Sequence, residues 1–432
     1  MVDTDYLIIE GGFPLRGRVR VSGSKNAALP ILAATLLTDE SCTIENVPDL
    51  EDIDVMRLLL KDLGVEADRD EDGKILTRLV DEKPYWAPWE KVKMMRASFC
   101  VLGPLIAKRG RARVSYPGGC VIGTRPVDLH LKGLKSLGAR IEIEHGDVFA
   151  EAKRLQGGYI YLGGAAGSSV TGTANVLMAA VLAHGKTILE NAACEPEIED
   201  LAEFLRKMGA KIRGAGTPKI EVVGVDALHG ACHRVIPDRI EAGTLVCAAA
   251  ATGGEVTIDG ICLEHMGAVA DRCAAIGIPL KRHNGSVTVQ ATEEFRPVDI
   301  TTLPYPGFPT DLQAQFTAVL TLTRGISVVT ERIYPDRFIH VAEMNRMGAQ
   351  IRREGPSAII QGVPRLSGAQ VTASDLRASA ALVLAALIAK GTTEVHRIYH
   401  LDRGYQRFEE KLQALGASIQ RIRARKREPV IV

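Results

Sequence analysis

The sequence predicts an α/β protein of six repeated units, each about 70 residues long, in two groups of three with helices inside and sheets outside. Three observations lead there. A helix ending made of a large apolar residue, glycine and a small or β-branched residue recurs at Leu63-Gly64-Val65, Leu137-Gly138-Ala139, Met208-Gly209-Ala210, Ile276-Gly277-Ile278, Met347-Gly348-Ala349 and Leu415-Gly416-Ala417, so that successive glycines stand 74, 71, 68, 71 and 68 residues apart. Two kinds of helix alternate between these endings, one amphipathic and one apolar on every side. Short β-rich runs follow both kinds.

Each element has a local cause. The stretch Asp200 to Met208 carries apolar residues at 201, 204, 205 and 208 with charge between them, the pattern of a surface helix. The glycine after it closes the helix in left-handed backbone, and Ala210 to Arg213, like Ala417 to Ile422, then alternates as a strand. The runs Thr173 to Ala183 and Arg377 to Ala389, with similar runs starting near Ala27, Ala97, Ala242 and Gln313, are apolar all round and belong in the middle of a domain. Glycines at 110, 185, 253, 325 and 391 follow most of them, ahead of runs such as Thr187 to Glu190. No strand is followed by the glycine fingerprint of a dinucleotide-binding βαβ unit. A hinge between the two groups of three leaves a cleft, where small-molecule sites are commonly found.

At 432 residues the chain is too long for one typical core. Its 53 basic and 52 acidic residues produce no net field that draws nucleic acid or an anionic membrane, so an anionic ligand has to be captured by a local cluster of cations. The acidic start Met1-Val2-Asp3-Thr4-Asp5 is unlike a signal peptide. The longest apolar run, Ala378 to Ala389, is far short of a membrane span, so a soluble, cytoplasmic protein is expected. Eight cysteines lack the spacing of a metal site or a disulfide framework, and most sit in apolar contexts as small buried hydrophobes.

Several segments break the apolar pattern with charge just ahead of the buried helices. Ser22 to Pro30 holds Lys25 and Asn26 at a helix start, where a lysine can grip a phosphate; on that segment alone, a solvated lysine in a turn is the more ordinary reading. Arg96 opens another buried helix within Lys93 to Ser98, as either a surface residue or an anion ligand. Pro117 to His130 is a glycine-rich tip with one thiol, Cys120, five residues before Arg125, a setting that favours thiolate and suits proton transfer or covalent addition. Gly167 to Thr173 is rich in small and hydroxyl residues and opens a helix, able to cradle a diphosphate or simply to N-cap. Asp311 and Asp375 stand at helix starts, where capping is the default role. Arg337 and Arg403 lie beside turns, and Arg421 to Arg427 looks like a solvated tail.

Nine collinear motifs, from Ser-Gly-Ser-Lys-Asn-Ala-Ala-Leu-Pro through Met-Arg-Ala-Ser, Pro-Gly-Gly-Cys, Arg-Pro-Val-Asp-Leu-His, Glu-Pro-Glu-Ile, Pro-Asp-Arg-Ile-Glu-Ala-Gly-Thr, Phe-Pro-Thr-Asp-Leu-Gln-Ala-Gln and Asp-Leu-Arg-Ala-Ser to His-Leu-Asp-Arg-Gly-Tyr, run along nearly the whole chain. In this the chain resembles the UDP-N-acetylglucosamine enolpyruvyl transferase family. The sister family acting on shikimate 3-phosphate carries Gly-Asn-Ala-Gly-Thr where this chain reads Met94 to Ser98, and it lacks the Pro-Gly-Gly-Cys loop.

The resemblance implies a two-domain inverse α/β barrel, with one domain over about residues 25–236 and the other built from 1–24 plus 237–432, and ligands in the cleft between them under a Cys120 lid. It implies transfer of the enolpyruvyl group of phosphoenolpyruvate to the 3-hydroxyl of UDP-N-acetylglucosamine, with release of phosphate, as the first committed step of peptidoglycan synthesis. Lys25, Arg125 and Arg403 would hold the phosphate, with Arg337 nearby and Arg377 in support. Asn26 and Asp311 would position the sugar hydroxyl, Asp311 as general base. Arg96, the stretch Arg125, Pro126, Val127, Asp128 and Leu129, and Ser169-Val170 would contact the uridine and diphosphate, and Ile333 the sugar. Cys120 would donate a proton and be the thiol alkylated by fosfomycin. Many members have lysine where this chain has Gly167. Small-molecule partners are implied, without metal, organic cofactor, nucleic acid or membrane, and the oligomeric state is not specified. Rival readings are a paralogue using another nucleotide or shikimate 3-phosphate, and a non-enzymatic regulator on the same scaffold.

Overall fold

The computed structural model describes residues 5–117, 127–164, 167–290 and 294–423. Two compact units emerge, one lying between Ser22 and Asp238 and the other taking the N-terminal stretch up to Val21 together with the chain from Arg239 onward. Each has its own apolar core, from Ala27 to Val235 in the first, and from Leu7 to Val21 and Ile240 to Ile419 in the second.

Among the described residues, six four-stranded sheets realise the six repeats. Arg111–Ser115 precedes, in chain order, the surface helix Asp128–Ser136 and the hairpin Arg140–Glu144 and Asp147–Glu151, whose second strand pairs antiparallel with both other strands. The edge strand Trp86–Ala87 lies parallel to Arg111–Ser115. The apolar helix between those two strands, Leu102–Arg109, buries Leu102, Leu105 and Ile106.

The surface helix Pro196–Lys207 shows how the sequence builds the outer layer. Proline occupies its first turn with Glu197 and Glu199, and Arg206 and Lys207 stand in the last, so both ends complement the helix dipole. Ile198, Leu201, Phe204 and Leu205 face inward, and burying Phe204 alone is worth about 2–3 kcal/mol. All six repeat glycines adopt positive φ, from +79° at Gly64 to +102° at Gly209. The apolar helices are central as expected: Ala378–Ile388 is buried from Ala378 through Leu387 and packs against Gln313–Leu320 and Arg239–Ala251. The run at Lys93 to Ser98 differs in detail, since Arg96–Val101 is a 3-10 turn and the α-helix begins only at Leu102.

Three strands pair with partners far along the chain. Arg16–Arg20 precedes the helix Lys25–Ala34, yet it pairs parallel with Glu255–Asp259 in the other unit's sheet. Reciprocally, Cys232–Arg234 precedes the helix Arg239–Ala251 but pairs with Cys42–Glu45. The N-terminal strand Tyr6–Glu10 fills the middle of the last sheet, between Thr392–His396 and Ser418–Ile422. Arg421 is not part of a solvated tail: its guanidinium meets Asp402 at 2.6 Å and Glu409 at 2.5 Å, anchoring the final strand to the preceding helices. Among the described residues, no helix is long and apolar enough to cross a membrane.

Candidate functional site

Within the unit from Ser22 to Asp238, Lys25 is the first residue of the helix Lys25–Ala34, capped by the Ser24 hydroxyl, which accepts from the Ala27 amide. It is not a solvated turn lysine. Its side chain is buried, and Nζ donates to Asp52 Oδ2 at 2.9 Å, where Asp52 is equally buried in the first turn of Glu51–Asp62. A buried cation is tolerable only beside such a carboxylate. Asn26 follows, half-buried.

Arg96, at the head of the 3-10 turn, and Val127, Asp128 and Leu129, at the start of Asp128–Ser136, are joined through a hidden polar network. Asn175 Oδ1 accepts from Gly103 N, so its Nδ2 is the face that donates to Phe99 O at 3.1 Å and His130 Nδ1 at 2.9 Å. That makes His130 the Nε2–H tautomer, which donates to Thr171 Oγ1 at 3.2 Å. Burial, and secondarily the charge of Arg96, push His130 down to about 3, so the imidazole is neutral. One ring thus ties the Arg96 segment and the Leu129 helix to the N-terminus of Val170–Ala180, where Ser169 caps by accepting from Gly172 N. Gly167 has φ +89° and exchanges backbone bonds with Gly164, a conformation that a lysine there would adopt only under strain.

The other unit gathers Asp311, Arg337 and Arg377. Asp311 lies in the 3-10 turn Thr310–Leu312, and Arg337 Nη1 donates to its Oδ1 at 2.7 Å and to Thr310 Oγ1 at 3.1 Å. The rest of the Arg337 fork reaches Asp375, with Nε at 2.9 Å from Oδ2 and Nη2 at 3.3 Å from Oδ1. Burial alone would lower the Arg337 pKa, but Asp375 and Asp311 raise it well above its ordinary value. Burial opposes the charge on Asp375 too, and Arg337 outweighs it, leaving that carboxyl below its ordinary value. Asp375 also caps as expected, its Oδ1 accepting from the backbone of Arg377 and Ala378. Arg377 has its Nε 3.7 Å from Asp311 Oδ2, and its Nη1 donates to Gly404 O at 3.0 Å, next to the half-exposed Arg403. Ile333 is held by Glu331, a fully buried carboxylate that accepts from Ile333 N, Tyr334 N, Thr302 Oγ1 and Thr310 Oγ1.

Asp311, Arg337 and Arg377 are therefore brought together, as are Arg96, Leu129 and Ser169. Cys120, Arg125 and Pro126 lie outside the described residues. Asp52, Glu331 and the His130–Asn175 pair were missed. His130 sits inside a motif the sequence made conspicuous, and Glu51-Asp52 opens a surface helix, so each left a trace without a role. Four of the described cysteines, Cys42, Cys100, Cys247 and Cys273, are buried as their apolar contexts suggest. Among the described residues, no cluster of His, Cys, Asp and Glu is arranged to hold a metal ion.

This architecture and these residues have relatives. The family model for EPSP synthase (3-phosphoshikimate 1-carboxyvinyltransferase) matches residues 9–412. The chain is 53% identical over 414 residues to UDP-N-acetylglucosamine 1-carboxyvinyltransferase 1 of Caldanaerobacter subterraneus subsp. tengcongensis, covering 96% of this chain and 99% of that protein. It is 52% identical over 419 residues to UDP-N-acetylglucosamine 1-carboxyvinyltransferase of Methylacidiphilum infernorum, covering 97% and 99%. Among solved structures, the enolpyruvyl transferase NikO from Streptomyces tendae superimposes with a TM-score of 0.88 at 26% identity, over 98% of this chain and all of that one. EPSP synthase from Acinetobacter baumannii shares the fold, with a TM-score of 0.75 at 18% identity, over 97% of this chain and 100% of that one.

Proposed function

We infer the activity of this chain from one premise: it belongs to the EPSP synthase family of carboxyvinyl (enolpyruvyl) transferases. It is an enzyme that moves the enolpyruvyl group of phosphoenolpyruvate onto the 3-hydroxyl of UDP-N-acetylglucosamine, releases phosphate, and so opens peptidoglycan synthesis. The observation that carries the choice of acceptor is the 53% identity, over nearly the full length of both chains, to a relative named for that nucleotide sugar. The shikimate-type enzyme of solved structure stands at only 18%. The chain also carries all the charged side chains that the resemblance assigns to the site, Lys25, Arg96, Arg125, Asp128, Asp311, Arg337, Arg377 and Arg403, which argues against a regulator without activity.

The reaction we assign is addition followed by elimination. A proton goes to C3 of phosphoenolpyruvate, C2 becomes cationic, and the sugar oxygen bonds to C2 as Asp311 takes its proton. The C2–O bond to phosphate then breaks, a C3 proton leaves, and the enol ether remains. Lys25, Arg125 and Arg403 neutralise the departing phosphate, Arg337 and Arg377 hold Asp311, and Cys120 supplies a proton. Asn26 meets the sugar hydroxyl and Ile333 the sugar, while Arg96, Pro126, Val127, Asp128, Leu129, Ser169 and Val170 receive the nucleotide. Backbone at the start of Val170–Ala180 does the work a lysine at 167 does elsewhere. The two halves act as domains over about 25–236 and the remainder. We assign the reaction to the cytoplasm, in keeping with two highly charged substrates that cross no bilayer unaided.

Phosphate release from phosphoenolpyruvate, with and without UDP-N-acetylglucosamine or shikimate 3-phosphate, tests this on wild type and Cys120→Ser. Release that depends on the nucleotide sugar and is blocked by fosfomycin in wild type is the expected result. Release without acceptor, release with shikimate 3-phosphate alone, or none at all removes the assignment.

A further inference from the structure

We propose that Thr244, Gln315 and Tyr405 are positioning residues that set Arg403 and Asp311 in register for the proposed reaction, through one buried chain of hydrogen bonds. Thr244 and Gln315 are fully buried and Tyr405 is 2% exposed. Thr244 Oγ1 spends its hydrogen on Ile240 O at 2.8 Å, within its own helix Arg239–Ala251. Toward the Tyr405 hydroxyl, 2.9 Å away, it can therefore only accept, and Tyr405 donates. The Gln315 amide completes the chain. One N–H goes to the backbone oxygen of Asp311 at 2.9 Å, and the other is shared between Tyr405 Oη at 3.0 Å and Thr244 Oγ1 at 3.2 Å. Reversing the amide would set two carbonyl oxygens against each other at Asp311, so the Gln315 nitrogen is the donor in all three contacts.

Both ends of the chain stop one step short of proposed chemistry. At one end, the Asp311 turn is clamped from below, and Leu312 sits so close to Gly243 that a Cβ there would come within 2.5 Å of Leu312 Cδ1. At the other end, Tyr405 N bonds Leu401 O and Gly404 N bonds the same oxygen, closing the turn that displays Arg403. The Arg377 guanidinium lies 5.0 Å over the Tyr405 ring while holding Gly404 O, so the side that faces Asp311 and the side that carries Arg403 share one support. Apolar residues of the same size would fill this space. A chain with fixed donors instead specifies one spacing between the base and the phosphate-binding cation.

The inference rests on the proposed reaction, and wild-type turnover checks that reading separately. Thr244→Val and Tyr405→Phe each remove one hydroxyl and keep the shape, whereas Thr244→Ser keeps the hydroxyl. Saturating kcat for Thr244→Val and Tyr405→Phe is expected to fall about tenfold, as a small misplacement of reacting groups does, with the melting temperature and KM for UDP-N-acetylglucosamine little changed. The double variant should be no slower than either single one, and Thr244→Ser should turn over like wild type. An active wild type with kcat within twofold in both hydroxyl-free variants overturns the proposal. So does a Thr244→Ser enzyme as slow as Thr244→Val, since bulk and not the hydroxyl would then matter.

Discussion

Arg337 grips Asp375 with two of its three guanidinium nitrogens, at 2.9 and 3.3 Å, and both side chains are almost wholly withdrawn from water. Desolvating each charge is costly, so the pair is worth most when one partner is lost. Asp375→Ala should destabilise the protein by about 3–5 kcal/mol in urea unfolding. Glu354→Ala, which breaks the exposed pair with Arg352, should cost below about 1 kcal/mol. Equal losses in the two variants would mean that Arg337 is held by something other than Asp375.

Lys25 is the one lysine at a site position, and its ammonium is buried against Asp52. Lys25→Met should lower phosphate release by about 100-fold or more, as removal of a preorganised charge at a reacting phosphate does. Lys25→Arg should restore little of it, because a planar fork does not fit a closed point-charge site. A Lys25→Met enzyme with near-normal turnover would move the phosphate away from this helix start.

Two histidines make the fold acid-sensitive. Burial pushes His130 to about 3 and His340 to about 4, both from 6.5. Because the folded values are depressed, the neutral rings contribute full stability above pH 6.5, and the unfolded chain gains protons that the folded one refuses as pH falls. Each ring should therefore subtract about 1.4 kcal/mol per pH unit between 6.5 and its folded value. Urea midpoints measured from pH 7 to 4.5 should show this slope, and His130→Asn should remove the share due to that ring while His340 keeps its own. An unchanged slope in that variant would place a charged, not neutral, ring at 130.

Thiol chemistry should separate the cysteines. Burial pushes Cys100 and Cys273 up to about 12 and Cys247 well above its ordinary value, whereas Cys232 is exposed on an edge strand. Brief alkylation at pH 7.5 followed by peptide mass mapping should label Cys232 and spare those three until the protein is unfolded. Native labelling of Cys247 would mean that the central helix Arg239–Ala251 opens readily.

Local chemistry made most of the architecture readable. Left-handed glycines at 64, 138, 209, 277, 348 and 416 are needed wherever a surface helix stops, so the repeat shows in sequence. Apolar helices such as Ala378–Ile388 announced their burial by having no polar face. What stayed hidden depends on partners far along the chain. Nothing in Arg16–Arg20 says that it joins Glu255–Asp259, and nothing around Arg421 says that Asp402 and Glu409 wait for it. Charged residues read as surface until their counter-charges are known, which is why Lys25 looked solvated and Asp375 looked like a cap and nothing more.

The traded edge strands turn residues 22–238 into a cassette whose two ends leave through the same doorway. Ser22 O accepts from Asp238 N at 2.9 Å, Ser24 N donates to Ile236 O at 2.7 Å, and Gly23 and Pro237 form a bridge. Val21 and Arg239 are the next residues out, so a linker of a few residues could rejoin the flanking chain after the cassette is removed. Each half then carries a complete set of three sheets and could be produced, labelled and refolded as a separate polypeptide.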